Sequence, residues 1–490
     1  MTPVRVSWGV LAVAIGLGGL SGCKRSAPSA PPPSAALPGA DAAAAAPAMP
    51  VGMKTPFATL DKAAAKSPNA GYKALRAKQY DAARKAFDEV VAARPDYTAA
   101  RYQSLHAAVL ADPNADVREA WRELLARDFV GYGGRLATKE LAALRASPQG
   151  ADLARIEAEI RTAYAAGLER GFFFVARSRP AKEPFYDEHG GTILDLNAEA
   201  YHFDPATGRI RRLSDSGGRV AGIYADRARG QLVLLLVKGM VSSDTSTGYV
   251  FTALEAAVLS LDKLELAGPA PLPIEAPVEG ATLCASAQGE PLWVMKQSYT
   301  FDATRKAVVV IAEGCPPGVG VRVTANRAER LRPDVGATAD ATGESHLVPT
   351  GDGPPIRIGR PKLLASIGWS PGKKRLAYAG PFDPCAAEMG VRSQQNEIYV
   401  WEAATKKATR LASAYSFFDW EWLDDDHLVY ETGGQIGKIG QAGKVALHDF
   451  GAQSDTVIDT HAGAGLGAVP NLTCVMPTFE SGGDDDDGAE

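Results

Sequence analysis

The pattern of apolar and polar residues changes several times along this chain. Residues 6–20 are almost continuously apolar, and residues 24–53 are mostly Ala, Pro and Ser. Apolar residues then recur at helical spacing from about residue 69, whereas short β-rich runs separated by Gly, Pro and Asp follow Gly171. The sequence therefore predicts an α+β multidomain protein, with a short helical part followed by an all-β part.

The apolar stretch at the N-terminus follows Arg5 and ends in Leu20-Ser21-Gly22-Cys23. It is shorter than the roughly 20 residues needed to cross about 30 Å of hydrocarbon, which favours a cleaved signal. These residues resemble a bacterial lipoprotein signal peptide. The resemblance implies cleavage before Cys23, a lipid such as palmitate on its thiol, and a membrane-anchored, periplasm-facing protein. An ordinary secretory signal and an uncleaved anchor are the alternatives. An Asp directly after the lipidated cysteine resembles a signal for retention in the inner membrane, so Lys24 at this position favours the outer membrane.

The helical part contains one clear repeat unit. Asp81 is the predicted cap of its second helix, and its pattern consists of Leu75, Tyr80, Ala83, Phe87, Val91 and Pro95. This pattern resembles a tetratricopeptide repeat (TPR), in which a small residue lets two helices touch and a proline ends the unit. The resemblance implies peptide or protein binding in a concave groove. A helical spacer that packs on the next domain is the alternative.

The β part repeats itself. Residues 201–213 align without gaps on residues 399–411, and residues 299–305 repeat the first strand between them. These positions correspond to units of about 49 residues. A second type of hairpin, at 369–378 and 420–430, lies before the repeated one. Two hairpins per unit make four strands, the blade of a β-propeller; six blades fit the length, and seven is the alternative.

One of these hairpins carries a family pattern. Residues 369–378 begin Trp-Ser-Pro-Gly-Lys-Lys, which resembles the Trp-Ser-Pro-Asp-Gly-Lys repeat of TolB-like, WD-repeat-like propellers, although the Asp is missing here. The resemblance implies a cell-envelope scaffold that binds proteins and performs no chemistry. The alternatives are a propeller that binds glycan or peptidoglycan, and a propeller hydrolase or lyase.

The number of cysteines is consistent with a protein that is exported from the cytoplasm. Besides Cys23 the chain has Cys284, Cys315, Cys385 and Cys474, and an even number in an oxidising compartment predicts disulfides. We favour Cys284–Cys315, because these two lie within about one repeat of each other, and therefore also Cys385–Cys474. Four buried free thiols are the alternative.

Patterns for catalysis and metal binding are weak. Ser370 lies in a G-x-S-x-G match, but a nucleophile elbow needs a helix after the serine, and here a Pro-Gly turn leads into a strand. The seven histidines have no metal-ligand spacing. His202 aligns with Val400, which predicts a strand residue and not a ligand. The acidic runs at 424–426 and 484–487 predict solvated surface. We therefore expect no catalytic residue, no metal and no cofactor.

Phe418, Trp420 and Trp422 lie on one face of a predicted strand. Their spacing predicts a packed core between blades, and an aromatic binding surface for a ligand is the alternative. The net charge of −5, without a basic block interleaved with aromatic residues, argues against nucleic acid as a partner. The expected partners are membrane lipid through Cys23, an envelope protein, and as an alternative peptidoglycan or another glycan.

These observations divide the chain into five segments. We predict a signal peptide at 1–22, an Ala/Pro-rich flexible tether at 23–55, a TPR-like helical domain at 56–170, a β-propeller at 171–476 and an acidic disordered tail at 477–490.

Overall fold

A computed structural model describes residues 50–54, 66–168, 170–177, 198–242, 249–317, 319–324, 328–330, 337–339, 345–347, 356–359, 365–381, 396–414, 420–432 and 444–459. Within these ranges the chain forms helices first and antiparallel sheets afterwards, which confirms the predicted order of a helical part and a β part. The signal peptide with Cys23, the tether up to residue 49, Phe418, Cys385, Cys474 and the acidic tail lie outside the described residues.

Seven α-helices make up the described helical part. They are α1 (Lys66–Arg76), α2 (Tyr80–Ala93), α3 (Thr98–Ala111), α4 (Arg118–Arg127), α5 (Phe129–Tyr132), α6 (Ala142–Ala146) and α7 (Gly150–Ala165). The predicted cap of α2 is wrong, because the helix already begins at Tyr80 and Gln79 is its N-cap residue. Asp81 lies in the first turn instead, where a carboxylate interacts favourably with the helix dipole.

Two apolar clusters stabilise these helices. The first joins α1, α2 and α3 through Ala74, Phe87 and Ala100, and Ala83 in α2 is fully buried, as expected for a small residue where helices touch. The second joins α3, α4 and α7 around Trp121, which is also fully buried. Since burying one large apolar side chain contributes about 1.5–3 kcal/mol, tertiary packing stabilises these short helices more than their intrinsic propensity does.

Six sheets built from twenty-four strands make up the described β part. The first sheet contains β1 (Phe172–Arg177), β2 (Ala198–Asp204) and β3 (Arg209–Arg212). The second contains β4 (Val220–Asp226), β5 (Gln231–Ser242), β6 (Tyr249–Ser260) and β7 (Glu265–Pro271). The third contains β8 (Gly280–Ala285), β9 (Pro291–Val294), β10 (Ser298–Asp302), β11 (Ala307–Ile311), β12 (Val321–Thr324) and β13 (Ala328–Arg330).

The other three sheets follow in chain order. The fourth sheet contains β14 (Ala337–Ala339), β15 (Ser345–Leu347) and β16 (Ile356–Gly359). The fifth contains β17 (Ala365–Trp369), β18 (Arg375–Pro381), β19 (Asn396–Glu402) and β20 (Lys407–Ala414). The sixth contains β21 (Trp420–Trp422), β22 (His427–Thr432), β23 (Lys444–Asp449) and β24 (Ser454–Asp459).

The strands of each sheet follow one another as an antiparallel meander, which is also the strand order of a propeller blade. Two sheets have an additional neighbour. Met53 forms an antiparallel bridge with Ile210 at the outer side of β3. In the third sheet β12 pairs with β8, so that the strand order is β11-β10-β9-β8-β12-β13.

One turn recurs in five sheets. The residue directly before the outermost strand of the meander has a positive φ in each of them. These residues are Gly208 (61°), Leu264 (53°), Lys306 (51°), Lys406 (53°) and Gln453 (51°). A side chain in this conformation costs roughly 1–2 kcal/mol, from which glycine is exempt. The same unfavourable backbone at the same place in four non-glycine hairpins shows that the sequence repeat is also a structural repeat.

Neighbouring sheets pack face to face. In β5, Leu234 and its alternate neighbours pack towards the first sheet, whereas Leu235 and its alternate neighbours pack towards the third. Burial of both faces explains why this strand is apolar throughout. Equivalent clusters join the fifth sheet to the sixth and the sixth sheet to the first. The described contacts therefore run in the order fifth, sixth, first, second, third.

The predicted tether is too long at its C-terminal end. Val51 is 9% exposed and Met53 is 4% exposed. The Gly52 N–H donates to the Ala126 carbonyl at 2.6 Å, and the Met53 N–H donates to the Ile210 carbonyl at 2.7 Å. The two apolar side chains and these hydrogen bonds place residues 51–53 between the helical part and the first sheet, which the Ala/Pro-rich composition of the preceding segment does not indicate.

Candidate interaction site

A groove of about 150 Å³ opens between α2, α3 and the start of α4. It is lined by Arg84, Asp88, Val91, Arg101, Ser104, Leu105, Ala108, Ala115, Asp116, Val117 and Ala120. Leu105 and Val117 are buried and give the groove an apolar floor. The three alanines leave room that larger side chains would occupy, which explains why a groove is present at this point.

The rim of the groove carries charges of both signs. Arg84 Nε and Asp88 Oδ2 lie 3.7 Å apart, and the Ser104 hydroxyl donates to Asp88. On the opposite side, the Arg118 side chain and backbone N–H donate to Asp116. These hydrogen bonds lower the pKa of Asp116 to about 2. The groove thus presents an ionised carboxylate, paired with Arg118, just before α4 and the guanidinium of Arg84 on α2.

Arg101 is the most buried charge in the groove, with 13% of its side chain exposed. Its guanidinium forms an ion pair with Glu123 and donates to the Pro95 carbonyl at 3.3 Å. Burial and the neighbouring Arg127 lower the pKa of Arg101, but a guanidinium stays charged at physiological pH. Its Nε–H has no hydrogen-bond partner within the described residues.

A buried ion pair joins the helical part to the first sheet. Asp128, between α4 and α5, is 1% exposed, and it accepts hydrogen bonds from Arg212 Nη1 at 3.2 Å and from the Gly131 N–H at 2.9 Å. Burial raises the pKa of Asp128, and the Arg212 guanidinium opposes this effect. The Tyr164 hydroxyl also donates to the Arg212 carbonyl at 3.1 Å. These contacts fix the groove-bearing helices against the β part.

The structure buries the described members of the aromatic candidate surface. Trp420 is 3% exposed and packs in the cluster that joins the fifth and sixth sheets. Trp422 is half-buried against the same cluster, and its indole N–H donates to the Gly368 carbonyl at 3.1 Å. Trp420 therefore has no open face on which a ligand could stack. Trp420 and Trp422 thus pack between the fifth and sixth sheets. Phe418 lies outside the described residues.

Ser370 caps a turn. Its side chain is buried, and its hydroxyl accepts hydrogen bonds from the backbone N–H groups of Lys374 and Arg375 at 3.1 Å each. The chain continues directly into β18, without the helix that a nucleophile elbow requires. The G-x-S-x-G match therefore belongs to a hairpin turn between β17 and β18.

Cys284 in β8 and Cys315 form a disulfide, with 5.7 Å between their Cα atoms, and this is the pair that the sequence favours. A sequence separation of 31 residues corresponds to a stabilisation of about 3–4 kcal/mol in the chain-entropy model. Within the described residues, no group of three or more His, Cys, Asp or Glu is placed to hold a metal ion. No helix in that part of the chain is long and apolar enough to cross a membrane.

Sequence reasoning did not identify Arg101, Asp128 or Arg212. A signal for Arg101 exists, because Ser104, Leu105 and Ala108 follow it at the i+3, i+4 and i+7 positions, on one face of a helix. No comparable signal exists for Asp128 and Arg212. They are 84 residues apart in the chain, and only the tertiary structure brings them together.

No protein-family model matches the chain, and no curated protein matches it. Its structural neighbours include β-propeller proteins. TolB from Acinetobacter baumannii aligns with a TM-score of 0.28 and 11% identity over 67% of this chain and 71% of TolB. An oligogalacturonate lyase in complex with manganese aligns with a TM-score of 0.25 and 12% identity over 59% of this chain and 79% of the lyase. The β-propeller domain of the Trilobed protease from Pyrococcus furiosus aligns with a TM-score of 0.18 and 10% identity over 47% of this chain and 55% of that chain. Similarity at this level carries no information about activity.

Proposed function

We propose that this chain is a lipid-anchored cell-envelope scaffold without catalytic activity, and that it binds a partner protein in the groove between α2, α3 and α4. The groove is the observation that carries the proposal, because it combines the buried floor of Leu105 and Val117 with a charged rim. The Asp128–Arg212 junction supports the same role, since a preformed groove on a rigid body loses little entropy when it binds.

The chemistry of the groove suits a peptide segment of another protein. Its apolar side chains would cover the floor formed by Leu105 and Val117. Arg84 favours an acidic residue in the segment, whereas Asp116 favours a basic one. We therefore expect an amphipathic segment with charges of both signs. The TPR-like pattern at 75–95 supports binding in a concave groove, which is the function that such repeats imply.

We further infer that the β part is a ring of six TolB-like blades. The recurring turn in five sheets and the packing of the sixth sheet on the first support this arrangement. Met53 adds an isolated antiparallel bridge at the outer side of β3, the position that a fourth strand of a blade would occupy. In such a ring the sheet faces bury one another, and the two ends are further surfaces for docking.

We infer that Cys23 carries the lipid, and that the folded part faces the periplasm from the outer membrane. The signal-peptide pattern that ends at Cys23 supports this, as does the Cys284–Cys315 disulfide, since disulfides persist in oxidising compartments. A tether from residue 24 to 49 spans up to roughly 90 Å when fully extended. The groove would then reach partners well away from the lipid surface.

Photocrosslinking in intact cells tests groove binding. A photoreactive residue in place of Arg84 should form an adduct with a protein partner in the membrane fraction. Ala120→Arg fills the groove from an exposed position, where Glu123 on the same helix favours an arginine, and should lower the adduct yield at least about tenfold. Ala154→Arg places the same residue on an exposed part of α7 outside the groove and should leave the yield unchanged.

Equal adduct yields from Ala120→Arg and Ala154→Arg would contradict groove binding, as would the absence of any adduct at Arg84. Peptidoglycan that co-purifies with an adduct-free chain would favour the glycan-binding alternative. The same cells test the anchor, because the chain with Cys23→Ser should leave the membrane fraction. Retention of that chain on the membrane would contradict lipidation at Cys23.

A further inference from the structure

β11, the strand that ends the β8–β11 meander of the third sheet, has a free edge. Its sequence is Ala-Val-Val-Val-Ile, and one side of it pairs with β10. Within the described residues, no strand pairs with its other side. An unpaired edge presents backbone N–H and C=O groups that another strand can bind.

β11 lacks the protection that the outer strands of the other sheets carry. Those strands contain charges or proline, or are covered by another segment: Met53 over β3, Pro269 and Pro271 in β7, Arg357 in β16, Lys407 and Arg410 in β20, and Asp455 and Asp459 in β24. Such features are the usual means of preventing sheets from pairing edge to edge. Among the six outer strands that the structure describes, β11 is the one with none of them.

The surface beside this edge is also apolar. Val310 in β11 is 58% exposed, and Leu266 in the neighbouring strand β7 is 46% exposed. Two large apolar side chains are therefore exposed on two neighbouring outer strands.

The charges at the two ends of β11 are opposite. Arg305 precedes the strand, and its side chain is 74% exposed, 3.4 Å from Asp302. Glu313 follows the strand and is half-buried, and its buried Oε2 has no hydrogen-bond partner within the described residues. A second copy of β11 paired antiparallel about Val309 would bring Arg305 of each copy to the same end as Glu313 of the other.

We propose that two copies of this chain pair antiparallel through β11 and form a two-fold symmetric dimer with one continuous sheet across the interface. The strand is complementary to itself, because its apolar centre meets an identical centre and its opposite ends meet each other, as an isologous interface requires. This interface does not involve the groove, so it stands or falls independently of the proposed partner binding.

Analytical ultracentrifugation of the full chain, made lipid-free by Cys23→Ser, tests the dimer. Val310→Lys should weaken the dimer at least about tenfold, because it places two like charges at the interface. Val457→Lys is the matched control: Val457 is 49% exposed in β24, the outer strand of the sixth sheet, and this variant should remain dimeric. A monomeric wild-type chain, or equal dimerisation of the two lysine variants, would overturn the proposal.

A charge exchange tests the orientation of the strands and does not depend on the behaviour of one variant. Arg305→Glu alone and Glu313→Arg alone should each be monomeric, because each places like charges at both ends of the interface. A mixture of the two variants should form a heterodimer, since every end then has one Glu and one Arg. Failure of the mixture to associate, while each variant unfolds like the wild type, would overturn antiparallel pairing through β11.

Discussion

His202 shows how completely the β part removes a titratable side chain from water. The imidazole is fully buried in β2, its Nε2–H donates to the Arg170 carbonyl, and its ring centroid lies 4.9 Å from that of Phe173. Burial lowers the pKa of His202 to about 3. The ring is therefore neutral at physiological pH, and it contributes a hydrogen bond and packing at the start of the first sheet.

This burial makes stability depend on pH. An exposed histidine in the unfolded chain has a pKa of about 6.5, so between about pH 6.5 and about pH 3 the unfolded chain binds a proton that the folded chain does not. The free energy of unfolding should therefore fall as the pH decreases, by about 1.4 kcal/mol per pH unit from this residue. Denaturant unfolding between about pH 7 and about pH 4 should show a shallower dependence for His202→Gln. An equal pH dependence of the free energy of unfolding in the wild type and in His202→Gln would show that His202 is not its source.

At the residue scale the sequence predicts burial better than it predicts chemistry. The repeat aligns His202 with Val400, which predicts a strand residue in both, and the structure buries both side chains. The face shared by Phe418, Trp420 and Trp422 is ambiguous in sequence, because an inter-sheet core and an open aromatic platform need the same alternation. Only the packing of the fifth sheet on the sixth shows that Trp420 belongs to an inter-sheet core and not to an open aromatic surface.

At the scale of elements, the hairpins could be predicted and the extra pairings could not. A hairpin is local, and its turn leaves a signal such as Asp, Gly or Lys before the outer strand. The pairing of β12 with β8 and the bridge from Met53 to Ile210 join segments that are distant in sequence and have no counterpart in the repeat. Their positions follow from tertiary packing.

The junction between α4 and the first sheet leads to a prediction about stability. Asp128→Ala removes a buried acceptor of Arg212 and of the Gly131 N–H, and it should lower the free energy of unfolding by about 3 kcal/mol, since Arg212 then keeps only its half-exposed partner Asp215. Asp152→Ala breaks an exposed ion pair with Arg118 on the same helical part and should change stability little. Denaturant unfolding of both variants measures the difference. Equal losses would show that the buried pair does not fix the junction.

At the scale of the whole molecule, composition and repeats predict the order of the parts, and the structure confirms a helical part followed by sheets. The placement of the helical part relative to the β part could not be predicted from the sequence. Asp128, Arg212 and Tyr164 come from different segments and meet only after folding, and residues 51–53 enter the junction from a segment whose composition predicts a flexible tether.

The ring of sheets is the central claim at this scale, because it determines which surfaces are free for binding. In the proposed ring, sheet faces that pack on both sides would leave the ends of the ring, the outer strands and the helical groove as the exposed surfaces. The described packing covers the order from the fifth sheet through the sixth and first to the third. The fourth sheet completes the ring if it lies between the third and the fifth.

An experimental density map of the full chain, free of lipid through Cys23→Ser, tests this claim most directly. The six-bladed ring predicts six antiparallel sheets around one axis, with β14 to β16 packed between the third and fifth sheets. A map in which the fourth sheet lies apart from these two, or in which the β part opens into a stack without a central axis, would contradict it.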